Sequence, residues 1–145
     1  MSGLLLDTHA LYWLVSGEVD LAEEALFAIG ESQETGSLFV SPVTVWELAV
    51  AIQKPRADRR PNLGAASPDD WFREAVRATA ARVVPIQQRI SYEAARVVAE
   101  TGHKDPGDCF LMATARSRRI AMVTRDNIIR GIAADRADYL DVVVC

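Results

Sequence analysis

The segment LLLDTHALYWL, residues 4–14, places a single carboxylate between two apolar runs. Leu4, Leu5 and Leu6 form a run that is too short for a helix, and such runs are typical of strands buried on both faces. The apolar residues resume directly after Asp7, where we expect a helix to begin. The segment therefore predicts a strand and a helix that are joined at an acidic residue.

The remainder of the chain repeats this alternation of strand and helix. Short apolar runs bounded by helix-breaking residues predict further buried strands at 37–41, 82–86, 120–124 and 141–145. Helices are predicted at 8–15, 21–30, 42–53, 68–81, 90–101, 106–118 and 126–133. The intervening segment 54–67, rich in Arg, Pro and Gly, is expected to be an exposed loop. Strands separated by helices indicate an α/β fold with a mainly parallel sheet covered on both faces.

Length and composition favour one domain that spans residues 1–145, because half of the 145 residues are hydrophobic and supply a core. The sequence shows no basic leader and no apolar run of membrane length, so we expect a cytoplasmic protein without membrane contact. Cys109 and Cys145 form neither a disulfide framework nor a zinc pattern, which agrees with a reducing compartment.

The net charge of −4 hides an uneven distribution of acids and bases. Residues 1–53 contain eight acids and no Lys or Arg, whereas residues 54–145 contain sixteen bases and twelve acids. A basic region beside an acidic centre leaves polyanion binding open, above all where divalent cations neutralise that centre.

Several acids lie at predicted helix starts, namely Asp7, Asp105, Asp108 and Asp126. A carboxylate at such a position caps the helix by accepting backbone N–H bonds. However, Asp7 and Asp126 also end strands of one predicted parallel sheet, and ligands of open α/β sheets bind beyond the carboxyl ends of the strands. Capping does not predict this clustering, so capping and ligand binding both stay open.

Glu47 distinguishes these interpretations because it lies in VTVWELAVAI, residues 43–52, a helix that is apolar on nearly every face. An ionised carboxylate there requires a partner or an altered pKa. Since residues 1–53 contain no base, a basic partner has to come from the later half of the chain. Converging carboxylates repel one another without a cation, and all-oxygen sites suit Mg²⁺ or Mn²⁺, which act on phosphates.

Four ordered segments resemble the PIN-domain ribonucleases, specifically the VapC-like toxins of bacterial type II toxin–antitoxin pairs. They are LLLDTHALYWL, SPVTVWELAVAIQK, HKDPGDCFLMATA and IAMVTRD, and the resemblance covers nearly the whole chain. It implies a three-layer α/β/α sandwich with a mainly parallel sheet and an endoribonuclease activity that depends on Mg²⁺ or Mn²⁺. It also implies an RNA substrate, inhibition by a cognate antitoxin and a homodimer.

The resemblance assigns catalytic and metal-binding roles to the acids at matching positions. The matching acids are Asp7, Glu47, Asp108 and Asp126. The first three are expected to be the principal ligands, with Asp126 placing a second metal or the attacking water. Candidate supporting residues are Thr8, Thr124, Asp105 and His9.

Two positions depart from a common family pattern, because many relatives carry Phe where this chain has Gly107 and Arg where it has Cys109. The missing Phe is expected to loosen the packing that aims Asp108. An alternative function therefore stays open, a PIN-fold module that binds protein or RNA and has weak or no catalytic activity.

Two groups of bases are candidates for holding the RNA backbone if the acids form a phosphodiester-cleaving centre. They are Lys54, Arg56, Arg59 and Arg60 after the Glu47 helix, and Arg116, Arg119 and Arg125 around the Asp108 helix. The three tryptophans are expected to lie in the core or at a partner interface.

Overall fold

The computed structural model describes residues 3–145. In this part of the chain, the strands are β1 (Leu4–Leu6), β2 (Leu38–Val40), β3 (Arg82–Val83), β4 (Ala121–Thr124) and β5 (Val142–Val144). The helices are α1 (Thr8–Ser16), α2 (Glu23–Thr35), α3 (Val43–Ala51), α4 (Pro68–Thr79), α5 (Gln88–Thr101), α6 (Pro106–Arg118) and α7 (Asn127–Asp135). A short 3-10 turn, Ala57–Arg59, lies in the loop between α3 and α4.

All five described strands are parallel and lie in the order β3-β2-β1-β4-β5. At the centre, Leu4 pairs with Leu38 of β2 on one side and with Ala121 of β4 on the other. After β1, the chain adds β2 and β3 on one side of it, and later adds β4 and β5 on the other side. Such a reversal leaves a crevice beyond the carboxyl ends of the strands on which it turns, here β1 and β4.

The sheet separates two hydrophobic cores. Leu4 and Leu6 pack with buried residues of α1, α2 and α4, whereas Leu5 packs with buried residues of α5, α6 and α7. This division follows from strand geometry, because successive side chains of a strand point to opposite faces. The predicted α/β/α sandwich with a parallel sheet is thereby confirmed.

Helix starts are capped where the sequence predicts. Ala10 N donates to Asp7 Oδ1 at 2.7 Å, and Asp108 N donates to Asp105 Oδ1 at 3.0 Å. Asp126 Oδ1 accepts from two backbone N–H groups of α7 at 2.9 Å each. Capping is therefore confirmed for Asp7, Asp105 and Asp126. Whether these carboxylates also bind a ligand depends on the other groups that surround them.

The structure overturns three predictions about elements. The strand predicted as buried at 141–145 is β5, an edge strand with two partly buried residues and an exposed Val144. The helix predicted at 21–30 continues through Gly30 to Thr35 and ends where Gly36 adopts a left-handed conformation at φ 67°. The strand predicted at 82–86 is wrong in length and burial, since β3 has two exposed residues at the edge of the sheet. None of the described helices has the length and apolar character that crossing a membrane requires.

Candidate active site

The predicted acidic residues come from four separate segments and meet near the carboxyl edge of the sheet. Asp7 directly follows β1 and Asp126 lies just beyond β4, while Glu47 is on α3 and Asp108 is in the first turn of α6. Their charges influence one another, because Asp7 raises the pKa of Glu47 and Asp126 raises that of Asp108. The fold thus creates one acidic region from distant parts of the sequence.

Glu47, Asp105 and Asp108 form the closest group within this region. One carboxylate oxygen from each lies within 4.8 Å of the others. Asp105, predicted only as a supporting residue, therefore belongs to this group, which we call the carboxylate triad. Asp7 and Asp126 lie outside the carboxylate triad and line a neighbouring cavity together.

Hydroxyl groups hold Glu47 in place. Thr8 donates from Oγ1 to Glu47 Oε1, and the Thr8 hydroxyl lies 3.0 Å from that of the buried Thr44. Burial raises the pKa of Glu47 to about 7; the Thr8 hydrogen bond opposes this rise, and repulsion by the neighbouring carboxylates of Asp108 and Asp105 adds to it. Thr8 therefore positions a carboxylate, which is the supporting role that its hydroxyl fills in this structure.

Asp108 has a partner that sequence reasoning missed. His103 Nε2 lies 2.7 Å from Asp108 Oδ2, and both side chains are mostly buried. Burial raises the pKa of Asp108, and the contact with His103 opposes the rise. In the sequence, His103 lies close to Asp105, where acid–base work and a place in a turn before the helix are both open, and neither interpretation predicts Asp108 as its partner. The available signal was its position just before the capped start of α6, which allows its ring to fold back onto the first turn.

Thr124 connects the two acids outside the carboxylate triad. Burial raises the pKa of Asp7, and hydrogen bonds from the Thr124 hydroxyl and from Ala10 N oppose the rise. The Thr124 oxygen also accepts from Asp126 N at 3.1 Å. Like Thr8, Thr124 therefore offers its hydroxyl to a carboxylate of the acidic region, here that of Asp7.

No lysine or arginine among residues 3–145 forms an ion pair with Asp7, Glu47, Asp108 or Asp126. A Lys or Arg partner for Glu47 from the later half of the chain, the alternative that the sequence left open, is therefore not found among the described residues. Crowded carboxylate oxygens without a Lys or Arg partner, three of them from acids whose pKa is raised chiefly by burial, namely Asp7, Glu47 and Asp108, are a donor set that suits a hard divalent cation. The residues present thus fit Mg²⁺ or Mn²⁺.

The first group of predicted RNA-binding bases lies beside Glu47. Lys54, Arg59 and Arg60 line a cavity of about 590 Å³ whose wall also includes Glu47 and Asp105. His9 and Trp46 line the same cavity, and Trp46 is 51% exposed, unlike a core residue. Arg56 lies in the exposed loop, where it pairs with Asp58 at 2.9 Å.

The second group of bases does not surround the acids. Arg116 lies eight residues beyond Asp108 on α6, a rise of about 12 Å, and Arg119 follows the end of that helix. Arg116 and Arg119 therefore lie toward the end of α6 that is far from Asp108, and their role in RNA binding stays a prediction. Arg125 is close to Asp7, but its guanidinium donates to the backbone oxygens of Asp20 and Cys145.

Comparison with protein families identifies the fold around these residues. Residues 4–135 match the PIN domain. The chain belongs to the PIN-domain family. Membership of this family implies a nuclease. A comparison with curated protein sequences gives no match.

Solved structures of similar fold include chains from several toxin–antitoxin complexes. VapBC from Salmonella typhimurium, bound to DNA, is similar with a TM-score of 0.65 at 15% identity, covering 99% of this chain and 98% of that one. A toxin–antitoxin complex from Klebsiella pneumoniae has a TM-score of 0.59 at 24% identity, covering 97% and 96%. VapBC-5 from Mycobacterium tuberculosis has a TM-score of 0.61 at 19% identity and covers both chains fully. These similarities extend the PIN fold over the whole described chain.

Proposed function

We propose that this PIN domain is a metal-dependent endoribonuclease that acts as the toxin of a toxin–antitoxin pair. The observation that carries the proposal is the carboxylate triad, whose oxygens lie within 4.8 Å of one another. In the described part of the chain, these acids have no Lys or Arg ion-pair partner. Burial raises the pKa of two members of the carboxylate triad, Glu47 and Asp108, and acids with raised pKa values are frequent in catalytic sites.

Glu47, Asp105 and Asp108 would hold Mg²⁺ or Mn²⁺, with Asp7 and Asp126 completing the negative surroundings. Such an ion, when bound, supplies Lewis-acid polarisation of a phosphodiester and lowers the pKa of water. Thr8 keeps the Glu47 carboxylate in place, and His103 does the same for Asp108. These hydrogen bonds fix the acids before substrate arrives, which reduces the reorganisation that the reaction requires.

The RNA backbone would approach through the cavity beside Glu47. Lys54 and Arg59 line this cavity and supply positive charge within reach of the carboxylate triad. Exposed Trp46 offers an aromatic face on the same wall, suited to stacking with an unpaired base. Cleavage of single-stranded regions is the substrate preference that this arrangement favours.

The test incubates the purified protein with RNA in the presence of Mg²⁺ or Mn²⁺, next to its Asp7→Asn and Glu47→Gln variants. We expect cleavage by the unchanged protein and loss of cleavage in both variants. Glu34→Gln, an exposed position on α2, serves as the matched control and should cleave normally. Equal cleavage by all variants would refute the site. RNA binding without cleavage by the unchanged protein would favour the alternative, a binding module without catalysis.

An antitoxin partner is supported by fold similarity to chains from toxin–antitoxin complexes. We propose that the product of a short neighbouring reading frame binds this chain and inhibits it. Adding that product to the cleavage reaction should abolish RNA cleavage at an equimolar ratio. Unchanged cleavage after a confirmed complex would contradict inhibition, and absence of a complex would contradict the partnership.

A homodimer is also proposed, supported by apolar surface on α2. Leu26 and Phe27 are 45% and 71% exposed, more than is usual for side chains of their size. Sedimentation should give a dimer, and Phe27→Ser should shift it toward the monomer. Tyr92→Ser removes a comparably exposed ring on α5 and serves as the control. A monomeric unchanged protein would refute the dimer, and equal mass for all three proteins would refute the α2 surface.

A further inference from the structure

Gly107 occupies a position in α6 where a side chain has no room. A Cβ atom built at this residue would lie 2.4 Å from both Cδ and Oε2 of Glu47, and 3.0 Å from Cγ. Separations under 3.0 Å are not tolerated, so one of the two groups would have to move. The Glu47 carboxyl group therefore occupies the volume that a side chain at position 107 would fill.

The other helical glycines lack this property. Gly30 in α2 and Gly131 in α7 would meet nothing within 4 Å if they carried a Cβ atom. Glycine within a helix is less favourable than alanine because it loses more backbone freedom on folding. From the sequence, Gly107 is expected to leave loose packing around Asp108. Instead, the space is filled, and Glu47 fills it.

We infer that Gly107 is a positioning residue that allows Glu47 to reach Asp105 and Asp108. Glu47 is on α3, whereas both aspartates belong to the start of α6, so α3 and α6 must approach closely at this point. The missing side chain permits that approach. The inference rests on the proposed metal centre, and it assigns Gly107 no contact with metal or substrate.

Substitution should move Glu47 rather than unfold the protein. The atoms that an added Cβ at position 107 would strike belong to the end of a flexible side chain and not to the backbone. In Gly107→Ala, we therefore expect a folded protein in which the Glu47 carboxylate is displaced from the carboxylate triad. Loss of the Thr8 hydrogen bond to Glu47 should accompany the displacement.

The experiment measures Mn²⁺ affinity by calorimetry for the unchanged protein, Gly107→Ala, Glu47→Ala and the double variant. We expect Gly107→Ala to weaken binding about tenfold, as removal of supporting groups at metal sites does. In the Glu47→Ala background, the same substitution should have no further effect, because the group that it displaces is already absent. Gly131→Ala is the matched control and should bind Mn²⁺ normally.

Each remaining outcome decides against the inference. Unchanged affinity in a folded Gly107→Ala protein would refute it, as would an equal loss with and without Glu47, which would indicate an effect through α6 itself. A crystal structure of metal-free Gly107→Ala with Glu47 in its original place would refute it as well. If the unchanged protein does not bind Mn²⁺, the proposed metal centre fails first, and the positioning role fails with it.

Discussion

Charged side chains gather at two ends of α6, and the two ends differ in how their charges are balanced. At the start of the helix, the carboxylate triad collects acids without a Lys or Arg ion pair in the described chain. Near the end of the helix, Arg116 donates to the backbone oxygen of Tyr139 at 2.6 Å and lies 3.6 Å from the centre of its ring. The charge there is satisfied locally.

The arginine-rich end continues as a network of paired groups. Arg96 forms ion pairs with Glu93 at 3.1 Å and Glu100 at 3.3 Å, and Glu100 accepts from the Tyr139 hydroxyl at 2.9 Å. These paired charges and hydrogen bonds are explained by the stability that they give the fold. At the acidic end, burial raises the pKa of Glu47 and Asp108, and repulsion by neighbouring carboxylates adds to the rise, so the ionised forms of these two acids are disfavoured. Unbalanced charge therefore indicates function more strongly than abundant charge does.

The clearest test neutralises one aspartate at each end. Asp108→Asn should lower the rate of RNA cleavage about 100-fold or more, because it removes charge that would hold the metal. Asp138→Asn, in the cavity at the arginine-rich end, should change the rate by less than about twofold. Initial rates at saturating Mn²⁺ measure both. Equal rates for the two variants would show that the ends of α6 do not differ in function.

The pH dependence of stability provides a second test of the acidic end. The pKa of Glu47 rises from 4.5 to about 7 on folding, so the folded state binds a proton that the unfolded state releases in this range. Stability should therefore fall as pH rises, by about 2 kcal/mol between roughly pH 5 and pH 8 in the absence of metal. Burial is the main cause of the raised pKa of Glu47, and the nearby carboxylates of Asp108, Asp105 and Asp7 raise it further.

Urea denaturation in EDTA measures this pH effect, and Glu47→Gln is the matched variant. Its profile should be flatter over the same range, because the amide does not titrate. Added Mn²⁺ should stabilise the unchanged protein most at the higher pH, where the carboxylates are ionised. A stability that rises with pH through this range would contradict the raised pKa.

Much of the fold follows from local patterns in the sequence. The run Leu4–Leu6 predicts a buried strand, and both faces of β1 are indeed covered. Alternate side chains of the strand therefore contribute to the two cores on opposite faces of the sheet. Prediction fails at the sheet edge, because the apolar run at 82–86 does not reveal that β3 has only one neighbour. Edge position is a property of topology, and no local pattern encodes it.

The site divides in a similar way. The acids at strand and helix ends are recognisable from the sequence because capping and parallel-sheet geometry restrict where they lie. The sequence does not reveal which acids come closest to one another, because Asp105 joins the carboxylate triad only through the approach of α3 to α6. The same approach explains Gly107, which appears in the sequence only as a departure from a family pattern. Contacts between helices depend on side-chain packing that one sequence does not display.

His103 tests whether a side chain outside the carboxylate triad matters at the acidic end through its contact with Asp108. His103→Ala should weaken Mn²⁺ binding about tenfold, because loss of the 2.7 Å contact frees Asp108 to rotate. His103→Gln keeps a hydrogen-bond donor and should recover part of the affinity. Calorimetry compares the three proteins. Identical affinities would show that the first turn of α6 fixes Asp108 unaided.

The smallest effect is expected at the arginine-rich end, where each contact is one of several. Tyr139→Phe removes the hydroxyl that donates to Glu100 Oε1 and should lower the free energy of unfolding by about 1 kcal/mol. The phenyl ring keeps its place under Arg116, so packing is retained. Urea denaturation measures the loss, and Mn²⁺ affinity should stay unchanged because the carboxylate triad lies at the opposite end of α6. A change in Mn²⁺ affinity would mean that the two ends are coupled through the helix and that paired charge there serves more than stability.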